Sequence, residues 1–221
     1  MTGTLGTSIF TIVILILSVI MHEVSHGYAA YALGDPTAKR AGRLTLNPLA
    51  HIDLFGSIII PAILVLTNAG VLFGWAKPVP YNPYNLRNQR WGEAIVGFAG
   101  VGTNLLLALI FAGISRVSVD AGYVLFASLA ALVVLVNLSL GLFNLIPIPP
   151  LDGYTVLRGL LPPRFSLGFR DFENRLRSGG ILMLLVVLLI FSYFLAGPFY
   201  AFVTWIFHLL VGGKVAALIF S

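Results

Sequence analysis

The stretch TSIFTIVILILSVIMHEVSHGYAAYAL, residues 7–33, decides the fold. No charged side chain precedes His22, and the run outlasts the roughly 20 apolar residues that span a bilayer core of about 30 Å. It stops at Gly34-Asp35-Pro36, a strong helix terminator. A secretory leader would show a basic start and a small-residue cleavage site. This stretch shows neither, and it runs unbroken into His22-Glu23-Val24-Ser25-His26, so it reads as a retained first helix.

Side chains four apart on a helix share a face, so the imidazoles of His22 and His26 can reach one metal ion. Glu23 lies beside them, placed to take a proton from a water held there. The motif sits ~12–18 Å inside the helix end at Gly34, at ~1.5 Å per residue. Two histidines and a glutamate at that depth are costly unless they serve a function.

The rest of the chain agrees with a membrane setting. Of 221 residues, 58% are hydrophobic and only 10% charged, too little polar surface to cover a soluble fold. There are no cysteines, so disulfides and thiolate ligands are excluded. A formal charge of +5 could suggest nucleic acid, but in a membrane protein excess Lys and Arg mark cytoplasmic loops. No nucleic-acid partner is expected.

Apolar segments recur at Phe55–Trp75, Trp91–Val117, Ala121–Ile146, Gly180–Ala196 and Phe199–Phe220. The expected fold is an all-α polytopic membrane protein of five to six transmembrane segments, with a small β-hairpin or strand element near the active site. Gly42–Asn47 alternates like a short strand, and Val71–Pro83 is β-rich with three prolines, hence extended. Either would offer an edge to an unwound substrate. One domain is expected over 1–221. Its core, 7–157, carries the metal site, 158–179 forms an Arg-rich interfacial helix, and 180–221 forms two C-terminal transmembrane helices.

Two histidines need a third ligand, and Asp152, His51, Asp53, Glu93 and His208 are the candidates. Asp152 is favoured. It follows Pro147-Ile148-Pro149-Pro150, which breaks the fourth segment, and irregular backbone at membrane depth is tolerated where it lines a cavity or is buried in protein. Asn144 and Asn104 are candidates to hold a substrate backbone or an oxyanion. Asn137 reads instead as interhelical glue.

HEVSH together with NLIPIPPLDG (Asn144 to Gly153) resembles the site-2 protease family of intramembrane metalloproteases. NPLAHID (Asn47 to Asp53) and GWAKPVPYNP (Gly74 to Pro83) resemble its compact bacterial and archaeal branch. The resemblance covers Met21 to Leu157. It implies one Zn2+ per chain on His22, His26 and Asp152, with Glu23 as the general base. It also implies a transmembrane-helix substrate and a multi-pass place in a prokaryotic plasma membrane. One departure is Gly100-Val101-Gly102-Thr103-Asn104, where the family has Gly-Pro-x-x-Asn.

The expected activity is therefore intramembrane proteolysis. The rival readings are a metal transporter and a catalytically inactive binding protein. Against the first, the spans lack a graded relay of spare acidic ligands; against the second, Glu23 is present. If Phe55–Trp75 re-enters rather than crosses, twelve of the thirteen Lys and Arg lie on one side and Arg116 alone on the other. The positive-inside rule favours that arrangement, with five spans, an external N-terminus and the active site toward the cytoplasm.

Overall fold

The computed structural model describes residues 5–66, 75–180, 186 and 189–220. Helix α1 spans Leu5–Ala32, and the chain then turns through Gly34 at φ 107°. A short helix α2 (Thr37–Arg40) and a 3-10 turn (Pro48–His51) follow. A wide π turn at Leu54–Ile59 leads into α3 (Ile60–Leu66). Two long helices, α4 (Gln89–Asp120) and α5 (Val124–Asn144), form the centre. Then come α6 (Asp152–Leu160), α7 (Pro163–Ser178), α8 (Ala196–Val211) and α9 (Gly213–Phe220).

Among the described residues, four helices are long and apolar enough to cross a membrane: Leu5–Ala32, Trp91–Asp120, Val124–Asn144 and Phe191–Val211. Their outward faces are apolar. Ile12, Ile16, Leu106, Leu109 and Ile110 are each about half exposed, which suits lipid and would be a liability in water. The inner seam is built from small side chains. Ala108 and Ala112 of α4 pack with Ala131, Val134 and Leu138 of α5 against Val203, Phe207 and Val211 of α8, because small residues let membrane helices approach closely.

The structure departs from the expected fold in three places. No strand forms among the described residues. Gly42–Asn47 is a series of bends, and 75–82 is extended but unladdered. Pro78 and Pro80 have no N–H to donate, and several of the remaining donors turn to loops and side chains. Trp75 donates to the Gly56 carbonyl, Lys77 to that of His51, Val79 to Glu23 and Asn82 to Asp35. Residues 71–74 lie outside the described residues.

The C-terminal region divides differently too. The chain passes from a π turn at Phe191–Leu195 straight into α8, and the break falls at Gly212, with φ 80°. Pro198 explains the π turn: it withholds an i→i−4 bond, and a wider turn absorbs the mismatch. Helix α9 then folds back. Lys214 Nζ lies 2.9 Å from Asp120 Oδ1, and Arg116 donates to the Leu209 carbonyl. Lys214 therefore sits at the same end of the bundle as Arg116, so the split expected for a re-entrant 55–75 becomes eleven against two rather than twelve against one. Four candidate spans lie among the described residues; parts of the expected segments at 55–75 and 180–196 lie outside those residues.

The segment from 55 to 75 returns to its own start. Trp75 N–H donates to the Gly56 carbonyl at 3.1 Å, and Ser57 Oγ donates to the Trp75 carbonyl at 2.9 Å. The indole lies where a side chain on Gly56 would be.

Candidate metal centre

Three side chains from two helices converge on one point. His22 and His26 project from the same face of α1, and Asp152 is the first residue of α6. His22 Nε2 and His26 Nε2 are 3.1 Å apart, and Asp152 Oδ2 lies 2.8 Å from the first and 3.3 Å from the second. A tetrahedral zinc with bonds of about 2.0–2.1 Å holds its ligand atoms roughly 3.3 Å apart, so this triangle fits the ion. Both imidazoles are buried. Asp152 aims a carboxylate oxygen at both rings. It therefore offers an anionic ligand.

Asp152 is delivered by close helix packing. A side chain on Gly153 would collide with the Leu145 carbonyl at the end of α5, and one on Gly97 of α4 would lie 3.1–3.2 Å from Thr155 and Val156. Those two glycines let α6 lie against α4 and α5. Further along α6, buried Arg158 pairs with Glu93 of α4 at 2.8 Å and with Glu173 of α7. Arg170 completes the group, 2.6 Å from Glu93. Burial would lower the Arg158 guanidinium, but the two carboxylates raise it above its ordinary value.

A stripe on α4 backs the site. Val96, Gly100 and Asn104 are four apart and so line one face. The Val96 carbonyl accepts from His26 Nδ1 at 2.6 Å, and Asn104 Oδ1 accepts from His22 Nδ1 at 2.6 Å. Gly100 lies between them, and a Cβ there would stand 2.5 Å from His26 Nε2 and 2.7 Å from His22 Nε2. Only glycine leaves that space for the rings and an ion.

Because carbonyl oxygens only accept, both Nδ1 atoms carry the hydrogen and both Nε2 lone pairs face the centre. The polarity is set remotely. Asn137 Nδ2 donates to the Val133 carbonyl at 3.0 Å, Asn137 Oδ1 accepts from Asn104 Nδ2 at 2.9 Å, and Asn104 Oδ1 is thereby turned to His22.

Glu23, next to His22 on α1, meets the segment that follows Trp75. Its Oε2 accepts from the Val79 N–H at 2.8 Å. The remaining candidate ligands are engaged elsewhere. His51 Nε2 faces the Thr45 carbonyl, Asp53 caps Gly56 N–H, Glu93 holds two arginines, and His208 faces the Thr204 carbonyl and stacks on Phe220. Asn144 donates to the Leu140 carbonyl one turn back on its own helix. Asn104 is fully buried between His22 and Asn137.

The fold and site together define a helical membrane protein with a His-His-Asp group that could hold a metal ion. The sequence profile described as peptidase family M50 matches residues 116–187. YwhC of Bacillus subtilis (strain 168), named "Putative zinc metalloprotease YwhC", is 40% identical over 185 residues, 80% of this chain and 79% of that protein. Two proteins named "Putative zinc metalloprotease Rip2" are also similar. The Mycolicibacterium smegmatis protein is 30% identical over 91% of this chain and 74% of its own length. That of Mycobacterium tuberculosis (strain H37Rv) is 27% identical over 92% and 75%. No solved structure gives a significant match. The chain belongs to peptidase family M50, the site-2 protease family, and is an integral membrane metalloprotease.

Proposed function

We propose that this chain is a zinc endopeptidase that hydrolyses a peptide bond in or beside a transmembrane helix of its substrate. The observation that carries the reading is the 2.8–3.3 Å triangle of His22 Nε2, His26 Nε2 and Asp152 Oδ2, set within an apolar helix. The names of the relatives support its zinc-protease part.

His22, His26 and Asp152 would hold the ion. When bound, zinc lowers the pKa of a coordinated water to about 7 and polarises a carbonyl oxygen. Glu23 accepts the proton as water attacks the scissile carbonyl carbon, and it returns a proton to the leaving amine as the C–N bond breaks. Asn104 keeps the His22 ring in one tautomer, and the Val96 carbonyl does the same for His26. Asn104 is thus a positioning residue in this reading rather than an oxyanion donor.

The depth of the motif supports a membrane-embedded substrate. His26 lies six residues before the end of α1 at Ala32, about 9 Å along a helix axis. The lipid-facing surface around the site is apolar. The return of Trp75 to Gly56 supports a re-entrant segment beside the site, with both ends on the face where the basic residues gather, the cytoplasmic side by the positive-inside rule.

The test is cleavage by the purified full chain in liposomes, with products mapped by mass spectrometry. A cut within or next to the substrate's hydrophobic segment is expected. Cleavage of soluble peptides alone, with transmembrane substrates left intact, would contradict the reading.

A further inference from the structure

The segment Ala76-Lys77-Pro78-Val79-Pro80-Tyr81 crosses the face of α1 that carries Glu23. Proline has no N–H, so within Pro78-Val79-Pro80 a single backbone donor exists. That donor lands on the carboxylate: Val79 N to Glu23 Oε2 is 2.8 Å.

The tripeptide is keyed in place on every side. Upstream, Lys77 N–H donates to the His51 carbonyl at 2.9 Å, while the Lys77 carbonyl accepts from Arg43 Nη2 at 2.6 Å. Downstream, Asn82 N–H donates to the fully buried Asp35 at 2.6 Å. Asp35 also accepts from Thr37 Oγ1 and from Asn85 Nδ2. Burial would raise its carboxyl, and these donors hold it below its ordinary value, so it stays an anionic anchor. The Val79 side chain is buried in a notch that exists because residue 27 is glycine. A Cβ on Gly27 would lie 2.8 Å from Val79 Cγ1 and 2.5 Å from Leu44 Cδ2.

We propose that the Val79 backbone N–H is the positioning donor for the Glu23 carboxylate, presented by a proline-flanked strap fixed at Lys77 and Asn82. One oxygen is held by Val79, and the other is the one turned to water. A glutamate with three free torsions would otherwise sample rotamers in which neither oxygen meets its target. The inference rests on the reading of Glu23 as the base, and it adds what aims that base.

The test uses two substitutions at one position in the full-length, zinc-loaded protein. Val79→Pro removes the N–H and keeps an apolar side chain in an extended segment. Val79→Ala keeps the N–H and empties the notch. Val79→Pro is expected to lower kcat on the order of 100-fold, the effect of misplacing a reacting group by about 1 Å, with KM and zinc content unchanged. Val79→Ala, which keeps the donor and loosens only the packing, is expected to lose clearly less kcat than Val79→Pro. Amide hydrogen exchange gives a second readout: the Val79 N–H should be protected in wild type and exchange faster in Glu23→Ala.

Wild-type kcat in Val79→Pro alongside an inactive Glu23→Gln overturns the proposal and leaves the base reading standing. Unchanged Val79 exchange in Glu23→Ala also overturns it. Full cleavage by Glu23→Gln overturns the base reading and this proposal with it.

Discussion

His22 Nδ1 and Asn104 Oδ1 stand 2.6 Å apart in the buried seam between α1 and α4, and that contact turns His22 Nε2 toward His26 and Asp152. Replacing Asn104 with Leu removes the acceptor, frees the tautomer and leaves Asn137 Oδ1 without its donor. Loss of a partner of this kind typically costs about 10–100-fold in metal affinity. Chelator competition on purified Asn104→Leu should show a drop of that order. Wild-type zinc affinity would mean that the relay through Asn137 is interhelical glue alone.

Gly100 makes a steric prediction. A methyl there would stand 2.5–2.7 Å from both ligand nitrogens, well inside contact distance. Gly100→Ala should therefore bind zinc poorly. The control is Gly102→Ala, where the nearest atom is Phe98 Cε1 at 3.3 Å. That variant should retain zinc, measured by metal analysis after dialysis.

The Arg158 cluster makes a prediction about stability. Arg158→Leu leaves Glu93 and Glu173 buried, with Arg170 as the cation that remains against Glu93. Breaking a buried ion group by removing one partner costs about 3–5 kcal/mol. The melting temperature should fall clearly, and α6, which begins at Asp152, should loosen. A shift of less than a degree or two would show that α6 is held by packing at Gly97 and Gly153.

Topology can be read by labelling, because the chain has no cysteine of its own. Arg40 lies just beyond Asp35, and Arg87 donates its N–H to the Leu33 carbonyl, so single cysteines at Arg40 and Arg87 should react from one face. Asp171 of α7 should react from that face as well, and Tyr123, between α4 and α5, from the other. Opposite faces for Arg40 and Arg87 would mean that the segment between them crosses the membrane.

Periodicity and composition carry local information, and they were enough to expect long apolar helices and to single out His22, His26 and Asp152 as candidates, which the structure brings together. They fell short where tertiary contacts decide. The β-like residues at 42–47 and 75–82 form no ladder, because proline removes donors and Glu23 and Asp35 capture others. Nor does hydropathy show that the chain after Gly212 folds back to bring Lys214 to Asp120, which moves one charge across the count. At the site, Asn104 was legible as polar and deep. Its bond to His22 rests on a chain of amide orientations anchored at the Val133 carbonyl, which no spacing encodes. The stripe Val96, Gly100, Asn104 was the signal within reach, a four-residue repeat on one face of α4.

The central claim is that Glu23 moves the proton while His22, His26 and Asp152 hold the ion. It is tested most directly by measuring zinc per chain and cleavage of a transmembrane substrate in wild type, Glu23→Gln and Asp152→Ala side by side. The account predicts one zinc and no cleavage for Glu23→Gln, and loss of both zinc and cleavage for Asp152→Ala. Robust cleavage by Glu23→Gln, or a full complement of zinc in Asp152→Ala, would contradict it.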